Sequence, residues 1–424
     1  MTGWRRTFLP RPSRTAALSA AAVAACTSLI SGCGVIPGTT GGSGDDPITV
    51  MTWAPEKTKA TNKPGVPAMA QAYARWVNAH GGLGGRELKV LTCNDHNDSV
   101  GAANCAREAV ENDVVAVVGA YSQHGRSFLG PLEVAGIPYI GGYGITDDEF
   151  SSPLSYPVNG GEPALLAGNG RQLAARCERV SLVRPDTLAG DELPKLLNQG
   201  LADGHHKPVS DIRAPEDGTD LTPQAERALK DAGASDGCVT AALGARTDTF
   251  YDSFRRTKDD YPPVRISSVL GSVDQSLIDR TGGANGPYEG AYVTGWYPAA
   301  GDARWDRMRD VIREQAFGDN RVDPADAGVQ TTWIAYTVLK QAVESLDGEE
   351  VTSRTLRRAL DGGLRVETGG LTPPLSWRFE DLLAASEYPR LINSGVTFQV
   401  VRDGRLVPAR EGFVNVEKTL EQTA

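Results

Sequence analysis

From Ile48 onward, short apolar runs alternate with longer amphipathic segments, and this alternation constrains the fold more than any other feature of the sequence. The short runs are typical of buried strands, whereas the longer segments carry apolar side chains at helical spacing. In the first half, the predicted strands are 48–53, 88–93, 114–119 and 137–142, and the predicted helices are 66–79, 99–111 and 125–135. Strands that alternate with helices in this way build a parallel, doubly wound sheet.

The same alternation starts again after Pro157 and predicts a second lobe. Its predicted helices are 162–176, 190–203, 221–232 and 248–257, and its predicted strands are 180–184, 208–213, 238–243 and 264–270. A long amphipathic helix is expected at 327–346, followed by a hairpin with Asp403 and Gly404 as its turn.

The sequence therefore predicts an α/β chain of two doubly wound parallel-sheet lobes joined by a hinge. The expected boundaries are 47–157 for the first part of lobe one, 158–294 for lobe two, and 295–424 for a return to lobe one with C-terminal hinge and hairpin segments.

The stretch GGLGGRELKVLTCND, from Gly81 to Asp95, begins with four glycines in five residues. A phosphate-binding loop needs the order strand, glycine loop, helix. Here the order is reversed, because a helical pattern precedes the glycines and a strand pattern follows them. Since glycine commonly ends helices, we interpret the loop as a turn from a helix into a strand.

The N-terminus has the pattern of an export signal. Arg5 and Arg6 precede an alanine-rich apolar run, 16–30, which is shorter than the roughly 20 residues needed to span a bilayer. The run ends LISGC, which resembles a bacterial lipobox and implies cleavage before Cys33 with diacylglyceryl attachment to that cysteine. The alternative is an ordinary secretory signal with an incidental cysteine.

This interpretation divides the N-terminal region into a lipoprotein signal peptide, 1–32, and a flexible tether, 33–46. RRTFL near the start also resembles the twin-arginine export signature, although Pro10 stands where that signature usually has a basic residue. The general secretory and twin-arginine routes therefore both stay open. The expected location is the extracytoplasmic side of the cell membrane, where the lipid anchors the protein.

The cysteines outside the signal region indicate disulfide bonds. Apart from Cys33, four remain, an even number in an oxidising compartment, and four cysteines permit three pairings. Proximity in sequence favours Cys93 with Cys105, which leaves Cys177 with Cys238, each of them just ahead of a predicted strand.

Charge and motif content exclude several classes of function. The 53 acidic and 43 basic residues give a net charge of −10, which argues against nucleic-acid binding.

The five histidines form no HExxH spacing, and the chain has no CxxC metal site and no GxSxG elbow, so no metal, cofactor or catalytic residue is expected. Ser122 and His124, two residues apart in one loop, are weak evidence for a hydrolase.

Two stretches carry a resemblance to a known family. NAHGGLGGRELKVLTCNDHNDSVGAANCAREAVENDVVAVVGAYSQ and the later PLEVAGIPYIGGYGITDDEF resemble the extracellular solute-binding proteins of branched-chain amino-acid importers, the leucine-binding-protein-like group. The resemblance covers roughly Ile48 to the C-terminus and is sharpest over 66–150. It implies the type I periplasmic binding protein fold, with the ligand held between two lobes.

The loops that follow the strands of lobe one are the first candidates for ligand binding, because ligands of open parallel sheets lie outside the carboxyl ends of the strands. The strand 114–119 ends in AYSQHG before a helix, so Ser122 and nearby amides are candidates for binding a carboxylate. The resemblance implies that the later loop YGIT holds the ligand's carboxylate and ammonium, which assigns that role to Gly144 and Thr146 with Tyr143 beside them. The alternative for Ser122 and Thr146 is helix capping.

The second lobe contributes further candidates. The resemblance implies that Asp274, in the segment GSVDQ, lies against the ligand ammonium, while its alternative role is the N-cap of a short helix. The chain has Ala189 where the family often carries an aromatic residue. Trp296 and Tyr297, at the crossover back to lobe one, are candidates either for an apolar wall or for packing at the hinge.

These features predict a lipid-anchored solute-binding protein of an ABC importer, which binds a small polar ligand, an amino acid or an amide-like compound, by hinge closure. The expected partners are that ligand, an ABC permease and, through the lipid, the membrane, and the expected state is a monomer. The alternatives are a ligand-sensing lipoprotein without transport and, in a different class, a secreted hydrolase.

Overall fold

The computed structural model describes residues 46–187, 189–202, 204, 206–233 and 236–421. The predicted signal peptide, Cys33 and almost all of the predicted tether lie outside the described residues. The strands are β1 (Ile48–Trp53), β2 (Leu88–Cys93), β3 (Ala116–Val118), β4 (Tyr139–Ile140), β5 (Ser155–Tyr156), β6 (Arg179–Pro185), β7 (Ser210–Ala214), β8 (Gly237–Ala241), β9 (Arg265–Val269), β10 (Tyr292–Gly295), β11 (Gly395–Arg402), β12 (Arg405–Pro408) and β13 (Val414–Asn415). The α-helices are α1 (Gly65–Ala79), α2 (Ser99–Glu111), α3 (Gly125–Ala135), α4 (Asp148–Ser151), α5 (Gly161–Ala174), α6 (Leu193–Ala202), α7 (Thr222–Ala232), α8 (Thr247–Thr257), α9 (Gln275–Arg280), α10 (Asp306–Gln315), α11 (Ala327–Glu344), α12 (Ser353–Asp361) and α13 (Glu417–Glu421).

The first sheet has the order β2-β1-β3-β4-β5, and its neighbouring strands are parallel. Successive residues of a strand point to opposite faces of the sheet. Val50 accordingly belongs to the same core cluster as Met69 of α1, whereas Met51 belongs to the cluster that contains Ala106 of α2. Helices therefore cover both faces of this sheet, as its continuous apolar strands require.

The second sheet has the order β12-β11-β10-β9-β8-β6-β7, and β13 pairs with β11. The strands β6 to β10 are parallel, whereas β11 and β12 run antiparallel to their neighbours. The predicted hairpin is confirmed, with positive φ angles of 52° at Asp403 and 71° at Gly404. It extends the second sheet, while α10 and α11 contact α1 of the first lobe.

The predicted fold class, two parallel-sheet lobes, is confirmed. The strands β3 and β4 are shorter than predicted at both ends, and at their C-terminal ends Gly119 and Gly141 adopt positive φ angles of 64° and 63° that end the extended backbone. The glycine loop after α1 is a turn, as expected: Gly82 has a φ of 79°, and its backbone N–H donates to the Val77 carbonyl at 2.9 Å.

Both favoured disulfide pairs are present. Cys93 bonds Cys105, and Cys177 bonds Cys238, with a Cα separation of 5.7 Å in each. The second pair joins the segment just before β6 to the neighbouring strand β8, where Cys238 pairs in register with Val180 of β6.

The chain passes between the two sheets at 157–160, 296–305 and 362–394. Asn159 Nδ2 donates to the Tyr297 hydroxyl at 3.0 Å, and that hydroxyl lies 2.9 Å from Thr331 Oγ1 of α11. These buried hydrogen bonds tie the first two crossovers to the helix of lobe one. Across the described part of the chain, no helix is long and apolar enough to cross a membrane.

Candidate functional site

A cavity of about 480 Å³ lies between the two lobes, outside the carboxyl ends of the strands. Lobe one lines it with the loops that follow β1, β3 and β4, and lobe two lines it with the loops that follow β6, β8 and β9. Its volume falls within the range of small-molecule sites. The topology of the two sheets therefore creates a site for a small ligand.

Aromatic rings form one wall of the cavity. The ring centroids of Tyr121 and Tyr143 are 4.9 Å apart, and those of Tyr143 and Trp296 are 5.1 Å apart, both with edge-to-face geometry. Trp296 also donates from Nε1 to the Gly161 carbonyl at 2.8 Å, so it serves both the wall and the hinge. Tyr297 is fully buried and packs at the hinge.

The loop predicted to hold the ligand's carboxylate already binds a carboxylate of the protein. Glu149, from α4, accepts backbone N–H donations from Gly144 at 3.1 Å, Ile145 at 3.0 Å and Thr146 at 3.1 Å. The Thr146 hydroxyl donates to the same carboxylate at 3.2 Å. Burial raises the pKa of Glu149, while these donors oppose the rise. Tyr143, Ile145 and Thr146 of this loop line the cavity.

Ser122 lies outside the residues that line the cavity and is 1% exposed. Its Oγ accepts the backbone N–H of His124 at 3.2 Å, and its hydroxyl hydrogen-bonds the buried Asp95. The side chain of Ser122 therefore shapes the loop after β3. The Nε2 of His124, which does line the cavity, has no hydrogen-bond partner within the described residues.

Asp274 caps α9, because its Oδ1 accepts the Leu277 N–H at 2.8 Å. Burial raises the pKa of Asp274, and Asp326 and Asp323 of lobe one raise it further, while Lys63 opposes them. Charged groups of the opposite lobe thus change the pKa of the Asp274 carboxyl. Asp274 itself is not among the residues that line the cavity.

The sequence did not reveal a partly buried ion pair at the cavity. Lys63 Nζ lies 3.1 Å from Asp326 Oδ2 and 5.6 Å from the centre of the Tyr143 ring. Asp326 also caps α11, accepting the Gly328 N–H at 2.7 Å and the Val329 N–H at 3.1 Å. Burial works against ionisation of Asp326, but Lys63 and these donors hold its pKa below the usual range. The two residues are 263 positions apart, and no local pattern links them.

Glu162, at the start of α5, is the second group that the sequence analysis missed. It lines the cavity, and its carboxyl makes no hydrogen bond or ion pair within the described residues. Burial, together with the carboxylates of Asp147 and Glu149, raises its pKa to about 8. The sequence signal was weak, since an acidic residue ahead of a proline is common in the first turn of a helix.

The two lobes touch at the rim of the cavity. Arg246 of lobe two donates from Nη2 to the Lys59 carbonyl of lobe one at 3.4 Å, and Gly271 of β9's loop lies against the Tyr143 hydroxyl. The cleft is therefore narrowed on two sides. Among the described residues, no group of three or more His, Cys, Asp or Glu side chains could hold a metal ion.

Solved structures share this architecture at low sequence identity. A branched-chain amino acid ABC transporter protein from Thermus thermophilus with bound valine has a TM-score of 0.71 and 14% identity, covering 90% of this chain and 99% of that one. A solute binding protein of an ABC transporter from Rhodopseudomonas palustris BisB5, in complex with 3,4-dihydroxy benzoic acid, has a TM-score of 0.72 and 16% identity, covering 89% and 100%. A fatty acid ABC transporter substrate-binding protein from Thermomonospora curvata has a TM-score of 0.70 and 13% identity, covering 88% and 93%.

None of the curated proteins matches the chain by sequence. The sequence profile of the family described as Periplasmic binding protein, however, matches residues 58–383, which span both lobes. The chain belongs to the periplasmic binding protein family, whose members bind ligands and are not enzymes.

Proposed function

We propose that the protein is the solute-binding component of an ABC importer and that it delivers a small organic solute from the interlobe cavity to a membrane permease. The observation that carries this proposal is the cavity itself, about 480 Å³ in volume, which residues of both lobes line and which has an aromatic wall. The similar structures from Thermus thermophilus and Rhodopseudomonas palustris, described as parts of ABC transporters, support the transport role.

Binding works by closure of the lobes. A ligand that touches Tyr143 of lobe one and Leu270 of lobe two makes both contacts only when the lobes are together, so its binding energy shifts the equilibrium toward the closed form. The closed form is then the species that the permease recognises, and the protein acts as a monomer.

The sequence suggested an amino acid or an amide-like ligand, and the contacts disfavour a ligand that carries a carboxylate. Glu149 occupies the donors that would otherwise hold a ligand carboxylate, and the ring expected near Ala189 is absent. We propose that Tyr143 contacts the ligand directly and that Gly144, Thr146 and Ser122 fix the shape of the loops beneath it. The carboxylate of Asp274 adds negative charge near the cavity.

We further propose that Cys33 carries the lipid that anchors the protein on the extracytoplasmic side of the membrane. A tether of about a dozen residues would let the two lobes reach a permease in the same membrane.

A thermal-shift screen of the full chain tests the proposed function. The panel contains amino acids, amides, amines, aromatic acids and sugars. A ligand at about 100 times its dissociation constant stabilises the folded state by about 2.7 kcal/mol, which gives a clear rise in the melting temperature. A stabilising solute recovered chemically unchanged supports a binding protein, whereas its recovery as a product would contradict the proposal.

A further inference from the structure

We propose that the cavity takes an organic cation, a primary or quaternary ammonium compound without a carboxylate, and that Glu162 is its anionic partner. This inference rests on the proposed solute-binding function and names its ligand class. It is drawn from three features of the cavity: the occupied anion sites, the unpaired carboxyl of Glu162 and the adjoining aromatic wall.

The loop predicted to receive a ligand carboxylate and the lysine at the cavity are already paired with carboxylates of the protein. Glu149 takes the backbone donors of Gly144, Ile145 and Thr146 together with the Thr146 hydroxyl. The cation at the cavity, Lys63, is paired with Asp326 at 3.1 Å. A ligand carboxylate would have to displace one of these internal carboxylates, which a cationic ligand does not need to do.

Glu162 offers the complementary group. Glu162 lines the cavity, and its carboxyl has no hydrogen-bond or ion-pair partner within the described residues. The groups that act on it are the carboxylates of Asp147 and Glu149, and it in turn influences the hydroxyls of Tyr121, Tyr143 and Tyr388. No cation is among these neighbours, so a bound ammonium group would supply the missing charge.

The aromatic wall adjoins this carboxyl. The Trp296 indole donates to the carbonyl of Gly161, the residue before Glu162, and the Glu162 N–H donates to the Gly144 carbonyl at 2.9 Å. Tyr143 and Trp296 therefore line the cavity beside the start of α5, and the charge of Glu162 acts on the Tyr143 hydroxyl. Aromatic rings next to a carboxylate are the surroundings that primary and quaternary ammonium groups favour.

Cation binding must be coupled to loss of a proton. Burial raises the pKa of Glu162 to about 8, so the empty cavity holds it protonated at neutral pH. A cation binds the ionised form, and the displaced proton passes to solvent. Affinity for the cation should therefore rise as the pH rises toward and past this value, by about 25-fold between about pH 6.5 and about pH 8.5.

Isothermal titration calorimetry of the full chain tests the proposal with matched probes. Choline is compared with its neutral analogue 3,3-dimethylbutan-1-ol, and phenethylamine with 3-phenylpropanoate and phenylacetamide. We expect at least one cation to bind more tightly than its neutral or anionic analogues, with the stated gain at higher pH. Titrations in two buffers of different ionisation enthalpy should show release of nearly one proton per cation near neutral pH.

The variant Glu162→Gln keeps the shape of the side chain and removes its charge. It should weaken cation binding by at least about tenfold near pH 8.5 and abolish its pH dependence. Glu133→Gln, an exposed carboxylate on α3 outside the cavity lining, is the matched control and should bind like the wild type. The pH dependence of the wild type provides a test that does not depend on how well the variant folds.

The titrations distinguish a wrong ligand class from a wrong general function. If 3-phenylpropanoate or a neutral probe binds the wild type more tightly than both cations, the protein is a solute-binding protein but the cation assignment is wrong. Failure of choline and phenethylamine to bind near pH 8.5 also overturns the cation assignment, while the proposed function is then decided by the wider thermal-shift screen.

Discussion

Tyr143 of lobe one and Gly271 of lobe two meet across the cleft so closely that a Cβ atom built on Gly271 would lie 2.3 Å from the Tyr143 hydroxyl oxygen. Glycine is therefore needed at this position for the lobes to approach as they do. Gly271→Ala should hold the lobes apart and weaken binding of any stabilising solute by about tenfold or more. Calorimetric titration of the variant measures the loss.

Gly290→Ala is the matched control, because Gly290 also has a positive φ, 78°, but nothing lies within 4 Å of its built Cβ. It should lose some stability to backbone strain and keep the wild-type affinity. The double variant Tyr143→Phe, Gly271→Ala lacks the hydroxyl that the added Cβ would meet, so it should regain part of the lost affinity. Equal affinities for wild type and Gly271→Ala would show that the observed approach of the lobes is not the binding state.

Removal of the internal carboxylate should expose the anion site that the sequence predicted. Glu149→Ala leaves the N–H groups of Gly144, Ile145 and Thr146 without their acceptor and should lower the free energy of unfolding by about 3 kcal/mol. Added acetate should then raise the melting temperature of this variant and leave that of Glu133→Ala unchanged. A variant that acetate does not stabilise would mean that the loop does not keep its shape without Glu149.

The raised pKa of Glu162 makes a prediction about stability. In the folded protein the group holds its proton up to a pKa of about 8, whereas its ordinary value is 4.5, so the folded state binds the extra proton between these values. The stability of the wild type relative to Glu162→Gln should fall as the pH rises through this interval, by up to about 1.4 kcal/mol per pH unit. Urea denaturation near both ends of the interval measures the change. A constant difference would show that Glu162 ionises normally.

Cys33 lies outside the described residues, and its proposed role is tested in cells. Cys33→Ala should prevent lipid attachment, so the protein should no longer incorporate a labelled fatty acid supplied to the cells. Immunoprecipitation followed by detection of the label measures this, with Cys26→Ala in the signal region as the control. Labelling of the Cys33 variant equal to that of the wild type would contradict a lipid anchor at Cys33.

Much of the fold could be predicted from the sequence, because buried parallel strands and amphipathic helices leave strong local patterns. The bounds of β1, β2 and α2 agree with the prediction to the residue. The pairing of Cys177 with Cys238 also followed, since the ends of neighbouring parallel strands meet at one edge of a sheet. Even the shortening of β3 has a local cause in the positive φ of Gly119.

The candidate site was less predictable, because its contacts join distant parts of the chain. Lys63 and Asp326 are 263 positions apart, and neither stands in a local pattern that indicates an ion pair. The role of Glu149 in filling the loop at Gly144 depends on how α4 packs, which the segment DDEF does not reveal. Glu162 can be identified as a site residue only from the folded structure, in which it lines the cavity and its carboxyl has no partner among the described residues.

Binding by closure of the two lobes is tested by the distance between the lobes in solution, measured with and without ligand. Spin labels on Lys59→Cys and Asp217→Cys, two residues that line the same recess at the rim from opposite lobes, report this distance by double electron–electron resonance. With the solute that stabilises the protein most, we predict one short, narrow distance distribution, and without it an added population at longer distance. A distribution that the solute leaves unchanged would contradict binding by closure of the two lobes.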